Sequence, residues 1–291
     1  MEIPTFDYEK RVFESGLLPI GIDEAGRGPL AGPVVAAAVL YKKIDDRGLT
    51  LEIDEEDKRW KLVRDSKKLS EKQRETAYAL VQEFFHVGVG IIGPETIDRV
   101  NILQATFLAM KAALADLKKH LGKEEQQKLI ILIDGNQEIP NLSLKQEAIV
   151  NGDGLVRSIA AASIVAKVTR DRIIVAADAL FPGYGLAEHK GYGTAAHMAA
   201  LRKLGPSPIH RMSFRPVQLA IPENVNQRFA NVLKPRKSER LAKSEEACYT
   251  IPIAVFLWYP IRYQLTPTSF SYGTPQTTAY PSSSRPSTQI S

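Results

Sequence analysis

Gly21-Ile22-Asp23-Glu24-Ala25-Gly26-Arg27-Gly28 follows directly on the apolar run Leu17-Leu18-Pro19-Ile20. A short apolar run that ends in two adjacent carboxylates reads as a buried strand surfacing at a sheet edge. The glycines let a backbone approach a ligand closely. The arginine between them offers phosphate oxygens a planar fork of donors. Two acids held side by side repel each other unless a positive charge offsets them. The octapeptide therefore points to a divalent cation beside a phosphate, and so to phosphate-ester chemistry.

Outward from this point, residues 1 to about 220 read as one alternating α/β domain. Residues 18–22 form a short strand ending at Asp23, and Val34–Tyr41 a second, with Pro33 tolerated at its start. Residues 42–64 are charged and read as a solvated excursion. Residues 70–85 have helical spacing, with Ser70 as N-cap and Gln73 placed to complete a capping box. Residues 87–92 make another strand. Residues 94–119 read as one long helix, with Pro94 in its first turn and Ile97, Val100, Leu103, Phe107, Met110 and Leu114 on one face. Residues 129–133 form an apolar strand ending at Asp134. Residues 158–180 make a helix rich in small side chains, and 194–204 a shorter helix closed by Gly205-Pro206.

At 291 residues and 44% apolar content the chain has ample material for a core. Its single cysteine, Cys248, excludes an internal disulfide framework and a cysteine-based zinc cluster. The first ten residues are mixed and charged, unlike a signal region. The longest apolar run, around 251–259, falls short of the roughly 20 residues that span a bilayer. The expectation is a soluble, cytoplasmic protein without membrane association. From residue 222 onward eight basic residues face four acidic ones, which accounts for four of the five net positive charges. Any argument for nucleic acid therefore rests on local clusters, not on the overall charge. Residues 221–265 read as a basic extension in which 226–242 has helical potential. Residues 266–291, crowded with Ser, Thr, Pro and Gln, are expected to be disordered.

Four acids stand out by position: Asp23 and Glu24 at the first strand end, Asp134 at another, and Asp171 on the small-residue helix. Acids on strand ends and on a helix packed against the sheet can converge into an oxygen-ligand site for hard cations. Two such ions can activate water and stabilise the leaving oxygen of a phosphodiester. Taken singly, Asp134 before Gly135 is equally a turn residue, and Asp171 between Arg170 and Arg172 reads first as a solvated charge on a helix face. Ser163, Lys167 and Asp171 share one helix face. Tyr192, within His189-Lys190-Gly191-Tyr192-Gly193-Thr194, is either a turn-packing aromatic or a platform for a sugar or base. Asp65-Ser66-Lys67-Lys68-Leu69-Ser70 places a basic patch before a helix start. There is no dinucleotide or Walker pattern, and the five histidines have no metal-ligand spacing.

With these residues in hand, the chain resembles ribonuclease HII. The match runs through residues 21–38, Asp65-Ser-Lys-Lys-Leu-Ser70, Asn101-Ile-Leu-Gln-Ala-Thr106, Asp134-Gly135, residues 158–172, His189-Lys-Gly-Tyr-Gly-Thr194 and Gly205-Pro-Ser-Pro-Ile-His-Arg211. It covers about residues 15–220. The resemblance implies a ribonuclease H-like α/β fold, a central mixed sheet flanked by helices, here with a small helical C-terminal extension. It implies cleavage of RNA in RNA–DNA hybrids and incision at single ribonucleotides in duplex DNA, leaving 5′-phosphate and 3′-hydroxyl ends. Mg2+ or Mn2+ is the implied cofactor, and no obligate protein partner is evident. By motif position Asp23, Glu24, Asp134 and Asp171 become the metal-binding acids. Gly26, Arg27 and Gly28 become the loop that reads the ribose 2′-hydroxyl, and Tyr192 packs on the sugar. Lys67 and Lys190 are further candidates for phosphate. Where many members carry a lysine and a serine around Gly152-Asp153, this chain has Asn151 and Val156, which puts a phosphate contact from that turn in question. A different metal-dependent nuclease on the same fold and a non-catalytic hybrid-binding module are the competing readings.

Overall fold

Strand β1 (Leu18–Ala25) lies in the middle of a five-stranded sheet in the computed structural model. On one side it pairs antiparallel with β2 (Val34–Tyr41), which pairs antiparallel with β3 (Phe85–Ile92). On the other side it pairs parallel with β4 (Leu129–Asp134), which pairs parallel with β5 (Lys145–Ile149). The order is β3-β2-β1-β4-β5, a mixed sheet. The structure describes residues 3–42 and 57–221. The expectations for 226–242, for the C-terminal extension and for the tail lie outside the described residues.

The helices are α1 (Asp7–Glu14), α2 (Glu71–Phe84), α3 (Pro94–Val100), α4 (Ile102–Lys118), α5 (Lys123–Gln127), α6 (Arg157–Leu180), α7 (Leu186–His189), α8 (Ala195–Leu204) and α9 (Arg215–Ala220). Side-chain alternation divides them between the sheet faces. Ile20 and Ile22 of β1, Ala36 and Ala38 of β2 and Ile131 of β4 pack with Ala109, Met110 and Leu117 of α4. Ala37, Val39 and Tyr41 turn to the other face, against Val81 and Phe84 of α2 and Ala161 and Val165 of α6. All eight residues of β2 are buried, as expected of a strand covered on both sides. Gly21 sets how closely α6 approaches: a Cβ there would lie 2.2 Å from the Ser158 carbonyl carbon. A third apolar cluster joins Leu30 and Ala31, in the loop after β1, to Ile174 of α6 and to Leu186 and Leu201. No helix among the described residues is long and apolar enough to cross a membrane.

Two local expectations change. The helix expected over 94–119 is two helices, broken at Asn101, whose φ is 73° and whose side chain accepts from the Gln104 N–H (3.1 Å) to cap α4. The excursion over 42–64 is not wholly solvated. Within its described part Trp60 and Val63 are buried, Trp60 among Phe6, Tyr41, Phe84 and Phe85. The charged N-terminus forms α1, whose buried Glu9 accepts from the Ser158 N–H (2.6 Å). That carboxylate satisfies an open donor at the start of α6, where Val156 offers no side-chain cap. The capping box of α2 is present as read, with Ser70 and Gln73 bonded reciprocally.

Candidate active site

The parallel register pairs Ile22 with Ile133, so the next step along both strands sets Asp23 beside Asp134. Asp23 is only 5% exposed. Its Oδ1 accepts from the Glu24 N–H (2.7 Å), and the Ser163 hydroxyl on α6 is close enough to lower its pKa slightly. Burial raises its pKa well above the usual carboxylate range, and the charges of Glu24 and Asp134 push it further. Glu24 is likewise raised by burial, against the pull of Arg27, whose Nη1 lies 3.2 Å from Glu24 Oε1. Asp134 Oδ1 accepts from the Gly152 N–H (2.8 Å).

That last bond brings in an acid the sequence reading did not select. Asp153 lies in the tight turn Gly152–Gly154, and its pKa is raised by burial and then by Asp134 and Asp65. Lys67 faces the same group. Burial alone would lower its pKa, but Asp23, Asp153, Asp65 and Asp134 together raise it. Lys67 thus stands beside the acids.

Asp171 is placed differently. Ser163 lies close to Asp23, and Asp171 lies eight residues further along α6, about 12 Å at the helical rise. Its Oδ1 pairs with Lys167 Nζ at 2.9 Å and lies 3.8 Å from Arg170 Nη1. The structure therefore brings Asp23, Glu24 and Asp134 together and sets Asp171 among cations. Lys190 is also engaged elsewhere: its ammonium donates to the Ala187 carbonyl.

A cleft of about 590 Å³ opens beside Glu24. Gly26, Arg27, Gly28, Lys67, Lys167 and Tyr192 are among the residues that line it. The Gly26–Gly28 loop is held from beneath by two buried arginines. Arg211 donates from Nε to the Gly32 carbonyl (3.0 Å), from Nη1 to Arg27 (3.0 Å) and from Nη2 to Gly26 (2.5 Å). Arg170 donates to the carbonyls of Pro33, Ala31 and Lys190. Burial, with Arg170 nearby, lowers the Arg211 pKa to about 9. Gly26 must be glycine: its φ is +98°, and a Cβ would lie 2.2 Å from Arg170 Nε. Tyr192 is 45% exposed, with Lys167 Nζ and Arg170 Cζ each 5.9 Å from its ring centre. A Cβ on Gly28 would stand 3.8 Å from that ring, so Tyr192 and the glycine loop share one wall.

The acids offer only oxygen ligands, which suits a hard divalent cation. Burial is the main cause that raises Asp23, Glu24 and Asp153, and the neighbouring carboxylates add to it, so their ionised forms lack a full counter-charge. A divalent cation removes that imbalance, so the residues present fit one. Among the described residues no three His, Cys, Asp or Glu side chains already stand close enough to hold an ion. An ion would have to draw the carboxylates inward.

Asp153, Lys167, Arg170 and Arg211 are the site residues that sequence reading passed over. Asp153 had one signal in the sequence, the Gly152-Asp153 turn that the resemblance picked out, and that turn packs against Asp134. The two departures are also explained in part. Val156 is fully buried at the start of α6, and Asn151 adopts the left-handed conformation before the turn.

The family model for Ribonuclease HII matches residues 20–217. Ribonuclease HII of Geobacter sulfurreducens is 47% identical over 215 residues, which cover 73% of this chain and 89% of that protein. Among solved structures, the PCNA:RNase HII complex from Archaeoglobus fulgidus gives a TM-score of 0.51 at 26% identity, covering 68% of this chain and 96% of that one. Bst-RNase HIII in complex with Mn2+ gives 0.51 at 19% identity, over 73% of this chain and 71% of that one, a likeness of fold alone. A matching family model over most of the described domain, close relatives of nearly the same span, and acids gathered beside a glycine-flanked arginine converge on one conclusion: the chain belongs to the ribonuclease HII family.

Proposed function

We propose that this endoribonuclease of RNA–DNA hybrids also incises duplex DNA at single ribonucleotides, leaving 5′-phosphate and 3′-hydroxyl ends, with two Mg2+ or Mn2+ ions as cofactors. The observation that carries the reading is the cleft that Glu24, next to the buried Asp23, shares with the Gly26–Gly28 loop and Tyr192. Asp23, Glu24 and Asp134 would hold the ions, with Asp153 or Asp171 as the fourth acid. When bound, such ions activate the attacking water and stabilise the leaving oxygen.

The chain's own residues select the substrate. Arg211 holds the carbonyls of Gly26 and Arg27 inward. Across a trans peptide the N–H points opposite to the C=O. The N–H groups of Arg27 and Gly28 are therefore turned away from Arg211, on the side that can meet a 2′-hydroxyl or a phosphate. That hydroxyl distinguishes RNA from DNA at a single position. Tyr192 offers its ring to the sugar, and Arg27 and Lys67 grip phosphate oxygens. The acids weigh against a purely binding role, because phosphates are bound by cations. A cytoplasmic setting, where hybrids and misincorporated ribonucleotides arise, is part of the proposal.

The test is incubation with a duplex carrying one ribonucleotide, in Mg2+, Mn2+ or chelator, beside an all-DNA duplex and a four-way junction. Incision 5′ of the ribonucleotide that disappears with chelator is expected. Cutting of the all-DNA substrates, or metal-independent binding without cutting, would replace this reading.

A further inference from the structure

Three histidines lie beneath Tyr192, and their hydrogen bonds fix every ring proton. The Gly191 N–H donates to His189 Nδ1 (3.2 Å), so the His189 proton is on Nε2, where it donates to the Tyr184 carbonyl (2.8 Å). The Ser207 N–H donates to His210 Nδ1 (3.0 Å), so the His210 proton is on Nε2. That proton faces His197 Nε2 at 3.0 Å, which must accept it. His197 then carries its own proton on Nδ1 and donates it to the Tyr192 carbonyl (2.9 Å). A second proton on any ring would set one N–H against another. His189 and His197 also stack, with centroids 4.3 Å apart and planes 17° from parallel. Burial depresses the pKa of both His197 and His210, in keeping with neutral rings. The Tyr192 N–H donates to the His189 carbonyl (2.9 Å), so both backbone groups of Tyr192 are tied while its ring stays exposed.

We propose that His189, His197 and His210 are positioning residues, a neutral relay of fixed tautomers that holds Tyr192 in register with the sugar of the scissile junction. This rests on the reading of Tyr192 given above.

Long-range 1H–15N spectra of the imidazoles at pH 7 test the relay without any activity. His189 and His210 are expected as Nε2–H tautomers and His197 as Nδ1–H; a charged ring or the opposite tautomer at His197 or His210 overturns the proposal. His197→Phe keeps the stack but cannot donate. It should raise KM for a single-ribonucleotide duplex about tenfold, the scale of one lost hydrogen bond, with kcat within about twofold. Cleavage of long hybrids should fall less. Combined with Tyr192→Ala it should add nothing further, because the two changes act through one ring. Additive losses, or equal losses on both substrates, overturn the proposal. His210→Gln carries the same expectation should His197→Phe not fold. A wild-type chain unable to incise at single ribonucleotides would overturn the substrate reading instead, with the tautomers still reporting on the relay.

Discussion

The Nε2 atoms of His197 and His210 lie 3.0 Å apart with one proton between them. Both rings are buried, and burial followed by the neighbouring His197 pushes His210 down from 6.5 to about 4. A group whose folded pKa is depressed contributes stability that is full above its unfolded pKa and is lost as pH falls toward the folded one. The chain should therefore lose on the order of 3 kcal/mol between pH 6.5 and about 4 from His210 alone. The acid cluster works in the opposite sense at the low end of this range. Denaturant midpoints for wild type and His210→Gln across pH 4–7 separate the two, and parallel curves would refute the assignment.

Removing charge from the acid cluster should stabilise the metal-free protein. Asp23, Glu24 and Asp153 have folded pKa values raised above their unfolded ones, so their ionisation costs stability as pH rises through those values. At pH 7 without divalent ions, Asp23→Asn should raise Tm by a few degrees, the effect of about 1 kcal/mol, while lowering cleavage at least about a thousandfold. Mg2+ should raise the wild-type Tm more than that of the variant. Calorimetry with and without Mg2+ checks both points.

The fourth acid can be identified by comparison. Asp153 adjoins Asp134, whereas Asp171 is paired with Lys167. Asp153→Asn should therefore weaken the Mg2+ dependence of cleavage about tenfold or more, and Asp171→Asn should change it less. A titration of rate against Mg2+ in which Asp171→Asn has the larger effect would give Asp171 the place.

Arg211 should not tolerate lysine. Lysine keeps the charge but loses the fork that reaches three carbonyls at once. Arg211→Lys should cost roughly 2 kcal/mol of stability or more and speed hydrogen exchange at Arg27 and Gly28. Unchanged exchange at those two amides would show that the loop holds its shape without Arg211.

Most of the sheet could be read in advance because its strands are apolar runs that end at acids or turns. β5 could not: Lys145, Gln146 and Glu147 are polar, and the strand exists because β4 presents an open edge to pair with. The break at Asn101 was hidden because apolar spacing continues across it; the positive φ and the side-chain cap of Asn101 mark the new helix start. Asp23, Glu24 and Asp134 were legible because strand ends put acids at one sheet edge. Asp171 looked equivalent in sequence, but helical rise carries it away from Ser163 and toward Lys167. Arg170 and Arg211 gave no signal, since a buried arginine bonded to backbone carbonyls is indistinguishable in sequence from a surface one.

The pairing of Ile22 with Ile133 has one more consequence. Neighbouring strands lie about 4.8 Å apart. The backbone spacing between Asp23 and Asp134 is thus graduated by the sheet itself, like marks on a ruler, and no loop adjusts it. Insertions in the connecting loops would leave that interval undisturbed. A single residue inserted within β1 or β4 would instead turn one carboxylate to the α4 side of the sheet. Strand length, more than loop length, sets that interval.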